Sequence, residues 1–231
     1  MTKRIIRYFT KAEVALWSIS VIVTVISFIA FDRENYLTLS ASLIGVTSLI
    51  FNAKGNPFGQ LLMIVFSILY GIISYSFAYY GEMITYLGMT GPMAAFALIS
   101  WLKNPYNGKK SEVKVNHISG KEVLLMLLLT AFVTVLFYFI LRYFNTANLF
   151  FSTLSVTTSF IAVYLTFRRS AYFAVAYAAN DIILIILWIM AAFSDISYIS
   201  VIICFVIFLV NDIYGFINWK RMSKRQKSDV A

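Results

Sequence analysis

Apolar residues run through this chain in long blocks, each closed by charge, proline, glycine or asparagine. Eight blocks stand out, over residues 12–31, 36–53, 57–80, 82–102, 121–144, 148–168, 171–194 and 196–220. Their boundaries carry Asp32-Arg33-Glu34, Lys54-Gly55-Asn56-Pro57, Gly81-Glu82, Lys103-Asn104-Pro105, Asn145, Arg168-Arg169 and Ser194-Asp195. About 20 apolar residues suffice for a helix to cross the hydrocarbon layer, so the pattern predicts an all-α integral membrane protein with eight transmembrane helices. The first block runs into Phe28-Ile29-Ala30-Phe31-Asp32 without a small-residue cleavage site, so it reads as a span and not a cleaved signal peptide.

Composition agrees. Of 231 residues, 61% are apolar and 13% charged, where a soluble domain carries about 25% charged residues. These values exclude a disordered chain, and three prolines with ten glycines exclude a fibrous repeat. Eight spans and their loops use up the length, leaving no room for an extramembrane catalytic domain. The net charge of +9 would by itself suit nucleic acid, but its distribution says otherwise. With the N-terminus inside, 17 of the 19 Lys and Arg fall on the inner side, only Arg33 and Arg142 lying outside. Basic residues favour short cytoplasmic loops, so both termini are expected in the cytoplasm, with the lipid bilayer and not nucleic acid as partner. The basic 103–121 loop then lies beside anionic head groups. A homo-oligomer is compatible with this composition, and no interface stands out.

One cysteine, Cys204, excludes an internal disulfide; the single His117 lies in a loop, so no metal set is expected. There is no P-loop, HExxH or GxSxG pattern. Neither a cofactor nor an enzymatic activity is expected.

An internal repeat organises the spans. Phe96-Ala97-Leu98-Ile99-Ser100-Trp101-Leu102-Lys103 resembles Tyr214-Gly215-Phe216-Ile217-Asn218-Trp219-Lys220-Arg221, 118 positions later. Residues 36–102 and 148–220 thus read as two three-helix units, joined by a linker helix at 121–144 and preceded by an extra helix at 12–31. An odd linker makes the units parallel, related by an axis along the membrane normal. Between Val123 and Leu141 the linker has only Thr130 and Thr134 as polar residues and is expected to face lipid. The next span, with Ser152, Thr153, Ser155, Thr157, Thr158 and Ser159, should face protein or a cavity.

Chemistry concentrates in a duplicated tripeptide, Asn180-Asp181-Ile182 and Asn211-Asp212-Ile213. Both lie roughly 12–14 Å from the inner ends of their spans at 1.5 Å per residue. An ionisable group at mid-helix costs at least about 2.5–3.5 kcal/mol, and no basic residue lies in any span interior. Two readings remain open: interhelical hydrogen bonds between Asn and protonated Asp, or a substrate or cation site. Trp188 and Tyr177 on the same span and Tyr214 on the next could stack on a flat ring. Gln60 is a candidate rim or gate residue. Thr90-Gly91-Pro92 breaks the fourth span near its middle, and lining a cavity is one way to satisfy the carbonyls it frees. Trp17, Trp101 and Trp219, at span ends, read as interfacial belt residues.

Lys54-Gly55-Asn56-Pro57-Phe58-Gly59-Gln60, Tyr80-Gly81-Glu82 and Asn211-Asp212-Ile213-Tyr214-Gly215-Phe216-Ile217-Asn218-Trp219 resemble the Pnu family of bacterial vitamin transporters, over roughly residues 36–221. The resemblance implies a 3+1+3 core related to the SWEET sugar transporters. It also implies facilitated diffusion of a nucleoside-like vitamin precursor, nicotinamide riboside first, through one central site, with a cytoplasmic kinase trapping it. The family's asparagine in the penultimate helix corresponds to Asn180. A family WxxW pattern precedes it, where this chain has Phe173 and Ala176-Tyr177. The resemblance thus implies that Phe173, Tyr177 or Trp188 grips the ring. Relatives carrying thiamine, riboflavin or deoxynucleosides leave the substrate open.

Overall fold

The computed structural model describes residues 8–76 and 79–229. Its helices are α1 (Lys11–Phe31), α2 (Tyr36–Ala53), α3 (Phe58–Ser76), α4 (Tyr80–Lys103), α5 (Gly120–Tyr143), α6 (Leu149–Phe167), α7 (Phe173–Ala192) and α8 (Ile199–Ser228). Among the described residues, these eight are the helices long and apolar enough to cross a membrane. The boundaries expected from the apolar blocks hold within a few residues, except that α8 continues past residue 220 to Ser228.

Six helices close a ring. α2 packs on α3, α3 on α4, α4 on α6, α6 on α7, α7 on α8, and α8 back on α2. Exchanging α2–α3–α4 with α6–α7–α8 maps this sequence of contacts onto itself, which supports the two-unit reading. The remaining helices lie outside the ring. α5 packs on α6 and buries only Met126, Thr130, Phe137 and Leu141, leaving most of its leucines and phenylalanines for lipid. α1 lies against α2 and α8 through a stripe of Glu13, Ser20, Thr24 and Ser27. Its capping box pairs Thr10 with Glu13, whose carboxylate also takes Lys54 at 3.0 Å and the Tyr214 hydroxyl at 3.0 Å.

The 103–121 segment is more than a connector. Pro105–Tyr106 and Lys109–Val113 form an antiparallel hairpin, β1–β2, turning at Asn107-Gly108 with φ of 48° and 74°. Asn-Gly is the strongest short hairpin signal because both turn positions need positive φ. Val113 donates to the Gly55 carbonyl at 2.9 Å, and Gln226 of α8 brackets the strand's end through Val113 and Val115. The hairpin therefore ties the α2–α3 loop to the extension of α8 at the basic end of the bundle.

Tryptophan gives the main correction to the sequence reading. Trp101 and Trp219 are fully buried and are not interfacial belt residues. Trp101 of α4 donates its indole N–H to the Thr166 carbonyl at 2.9 Å, and Ser100 donates to Phe167 at 2.9 Å. Trp219 of α8 donates to Asn52 at 2.8 Å, and Asn218 donates to Ala53 at 2.8 Å. Each pair donates to carbonyls in the last turn of the other unit's first helix. The two indoles meet with ring centroids 5.4 Å apart, and Phe173 joins them at 4.9 Å from Trp219. Trp17 alone stays partly exposed, donating to Thr47 at 3.2 Å.

Candidate functional site

A small cavity lies inside the ring, and all six ring helices line it: Leu49, Met63 and Phe66, Tyr86 and Thr90, Ser159, Tyr177 with Asn180 and Asp181, and Phe205, Phe208 and Asp212. Its wall is mostly apolar, with its carboxyl and amide groups gathered on α7 and α8. A larger recess of about 510 Å³ opens at the basic end, where Lys54 and Arg225 are paired with Glu13 and Glu112. It is a surface vestibule, not the ring interior.

Local sequence explains how α4 contributes two residues. Pro92 has no N–H to continue an α-helical ladder. Residues Tyr86–Thr90 relax into a π-helical turn in which Gly91 donates to the Tyr86 carbonyl. This widened turn places Tyr86 and Thr90 on the cavity wall. Across the ring, the Asn180 carbonyl oxygen accepts from Thr158 at 2.9 Å and Ser159 at 3.0 Å on α6. The hydroxyl-rich face of α6 thereby fixes the Asn180 rotamer and leaves its NH₂ available to a ligand.

Asp181 and Asp212 are 3% and 4% exposed and face each other from α7 and α8. Asp181 Oδ2 makes no hydrogen bond of normal geometry. The described ion pairs, Lys54–Glu13, Arg168–Glu122 and Arg225–Glu112, all lie at the basic end. Two adjoining buried carboxylates with no cation repel strongly, so the pair calls for a shared proton or a polar or cationic ligand.

Of the eight residues singled out from sequence, the structure brings Tyr177, Asn180, Asp181 and Asp212 together on the cavity and places four elsewhere. Asn211 points away from it, donating to Ser20 of α1 at 3.1 Å and to the Ile207 carbonyl. Tyr214 is bound to Glu13. Gln60 is 2% exposed and donates to Asn52 at 2.9 Å, so it is an interior strut and not a rim residue. Beside it, a Cβ on Gly59 would come within 2.2 Å of Asn52 Oδ1, so only glycine allows this approach of α2 and α3. Trp188 is fully buried in an aromatic cluster with Tyr70, Tyr79 and Tyr198, at the end opposite the basic loops.

Sequence reasoning missed Tyr86, the apolar wall and Glu82. Glu82, taken from sequence as a boundary residue, is 3% exposed, and its Oε2 has no partner. The available volume inside the ring is about 30 Å³, room for two waters at roughly 10–15 Å³ each. Drug-sized ligands occupy clefts of about 300–1,000 Å³. With Trp101, Phe173 and Trp219 packed edge-on and tilted below and the Trp188 cluster above, this is a closed state that must open to admit a ligand.

Comparison with known proteins places this arrangement among membrane transporters. A family model described as nicotinamide mononucleotide transporter matches residues 35–221. The nicotinamide riboside transporter PnuC of Neisseria mucosa is 26% identical over 199 residues, covering 84% of this chain and 76% of that protein. A crystal structure of the vitamin B3 transporter PnuC has the same fold, with a TM-score of 0.82, 24% identity and 94% of each chain covered.

Proposed function

Since the chain belongs to the nicotinamide mononucleotide transporter family, we propose that it carries nicotinamide riboside across the bacterial inner membrane by facilitated diffusion. Phosphorylation by a cytoplasmic kinase then traps the substrate. The observation that carries this reading is the ring-enclosed cavity, which presents one amide and two carboxyls from α7 and α8 against an aromatic wall. Asn180 would donate to the ligand's amide or a ribose hydroxyl. Asp181 and Asp212 would accept from ribose hydroxyls or offset the pyridinium charge, while Tyr177 and Tyr86 would flank the ring. The basic hairpin, loops and α8 extension face the cytoplasm in this account, with both termini inside.

Purified protein titrated calorimetrically with nicotinamide riboside, a deoxynucleoside, thiamine and riboflavin tests the substrate. Nicotinamide riboside should bind tightest; binding of only one of the others would transfer the assignment to that compound. The facing Asp181 and Asp212 favour one second reading, proton-coupled uptake. Facilitated diffusion gives uptake that ignores an imposed pH gradient, and uptake that follows the gradient would establish coupling.

A further inference from the structure

We propose that Glu82 and the aromatic side chains around it form a second binding station, for a cationic aromatic ring, between the outer surface and the Asn180 cavity. This rests on the transport reading above and adds a residue and a ligand chemistry to it.

The outer half of the bundle collects unmet polar groups. Glu82 Oε2, Tyr70 Oη, Ser74 Oγ and Trp188 Nε1 are buried, and none makes a hydrogen bond of normal geometry. Tyr70 Oη and Trp188 Nε1 approach each other without reaching it. Glu82 is within electrostatic reach of the hydroxyls of Tyr70 and Tyr86, and Tyr86 is within reach of Asp181. Tyr86 therefore stands between the outer carboxyl and the two carboxyls of the cavity. Burying a carboxyl without a partner is costly, and no described ion pair involves Glu82.

Tyr70 and Tyr86, the rings within reach of Glu82, continue into a chain of rings through Trp188 to Tyr79 and Tyr198. Tyr70 and Tyr86 lie 4.4 Å apart, Tyr70 and Trp188 6.5 Å, Tyr79 and Trp188 5.1 Å, and Trp188 and Tyr198 5.3 Å. Aromatic faces attract cations, tryptophan most of all. A carboxylate beside such faces suits a flat ring with delocalised positive charge, such as the pyridinium of nicotinamide riboside. A neutral ring would gain the stacking and forgo the charge. The helix starts favour the same route. α4 begins two residues before Glu82, and Tyr79 and Tyr198 sit at the starts of α4 and α8, so small tilts of these ends would part the rings.

The test compares nicotinamide riboside with its dihydro form, whose ring has nearly the same outline and no charge. Each is titrated into purified wild type and Glu82→Gln. Glu82→Gln should weaken the cationic ligand at least tenfold and leave the neutral one within twofold. Equal losses for both ligands, or no loss for either, would overturn the station. An indole stacked on a pyridinium loses its fluorescence, which gives a second readout should Glu82→Gln not purify as a folded protein. Nicotinamide riboside should quench wild-type emission, and Trp188→Phe should remove most of that quench; an unchanged quench would overturn the proposal. Binding of neither nucleoside by wild type would instead refute the substrate reading and the station together, while binding by wild type with an unaffected Glu82→Gln refutes the station alone.

Discussion

At the scale of single residues, the duplicated Asn-Asp pair puts an amide and a carboxyl side by side on α7 and again on α8. An amide and a carboxyl at membrane depth are costly, and so call for hydrogen-bond partners or a ligand. Which way each one points is a different matter, because neighbours on a helix diverge by about 100°. Asn180 and Asp181 both reach the cavity, whereas in α8 Asp212 reaches it and Asn211 turns to Ser20 on α1. Asn180→Ala should therefore weaken substrate binding about 10–100-fold, the loss of a ligand hydrogen bond plus two stranded hydroxyl partners, with calorimetry as the check. Gln60→Ala should do the reverse. Its amide spans Asn52 inside the α2–α3 contact, so the melting temperature should fall by the equivalent of about 1–3 kcal/mol while affinity stays within twofold. Glu82 was hidden for another reason. Gly81 before it looks like a boundary, and only the packing of Leu141 and Thr146 around Gly81 reveals that the start of α4 is enclosed.

Helices were more legible than side-chain directions. All eight spans follow from the apolar blocks, because lipid forces each crossing segment to be long, apolar and helical. The break at Pro92 was legible as well, though not its form as a π-helical turn. Replacing Pro92 by Ala restores the missing N–H and lets the ladder close, shifting Tyr86 by a fraction of a turn. Transport by Pro92→Ala should fall more than its stability does, measured as uptake against melting temperature. The buried tryptophans were misread because a tryptophan near a helix end serves equally at a lipid interface. The useful signal was the repeat itself, which pairs Ser100-Trp101 with Asn218-Trp219, two donors side by side in each unit. If the units are equivalent, Trp101→Phe and Trp219→Phe should each lose one hydrogen bond, about 0.5–1.5 kcal/mol, and shift the melting temperature alike. A large inequality would count against the pairing of α4 with α8.

On the scale of the whole molecule, the six-helix ring is shut at both ends around a space for two waters. Trp101, Trp219 and Phe173 close the basic end, held by four reciprocal side-chain bonds from Ser100, Trp101, Asn218 and Trp219 to helix carbonyls. The opposite end is closed by edge-on and tilted ring contacts and holds the unmet polar atoms of Glu82, Tyr70 and Trp188. That asymmetry predicts easier opening at the aromatic end. A cysteine replacing Ser159 in a Cys204→Ser background should react with a polar maleimide sooner from the face opposite the basic loops. α5 and α1 lie outside the ring, which is why the linker could be so apolar and why the polar stripe of α1 is turned inward.

On the proposed reading, substrate crosses the membrane through the cavity bounded by Asn180, Asp181 and Asp212. The decisive measurement is flux of labelled nicotinamide riboside into proteoliposomes holding wild type or Asn180→Ala. Saturable uptake by wild type, independent of a pH gradient and reduced at least tenfold in a folded Asn180→Ala protein, is the expected result. Full uptake by Asn180→Ala, or none by wild type, would contradict it.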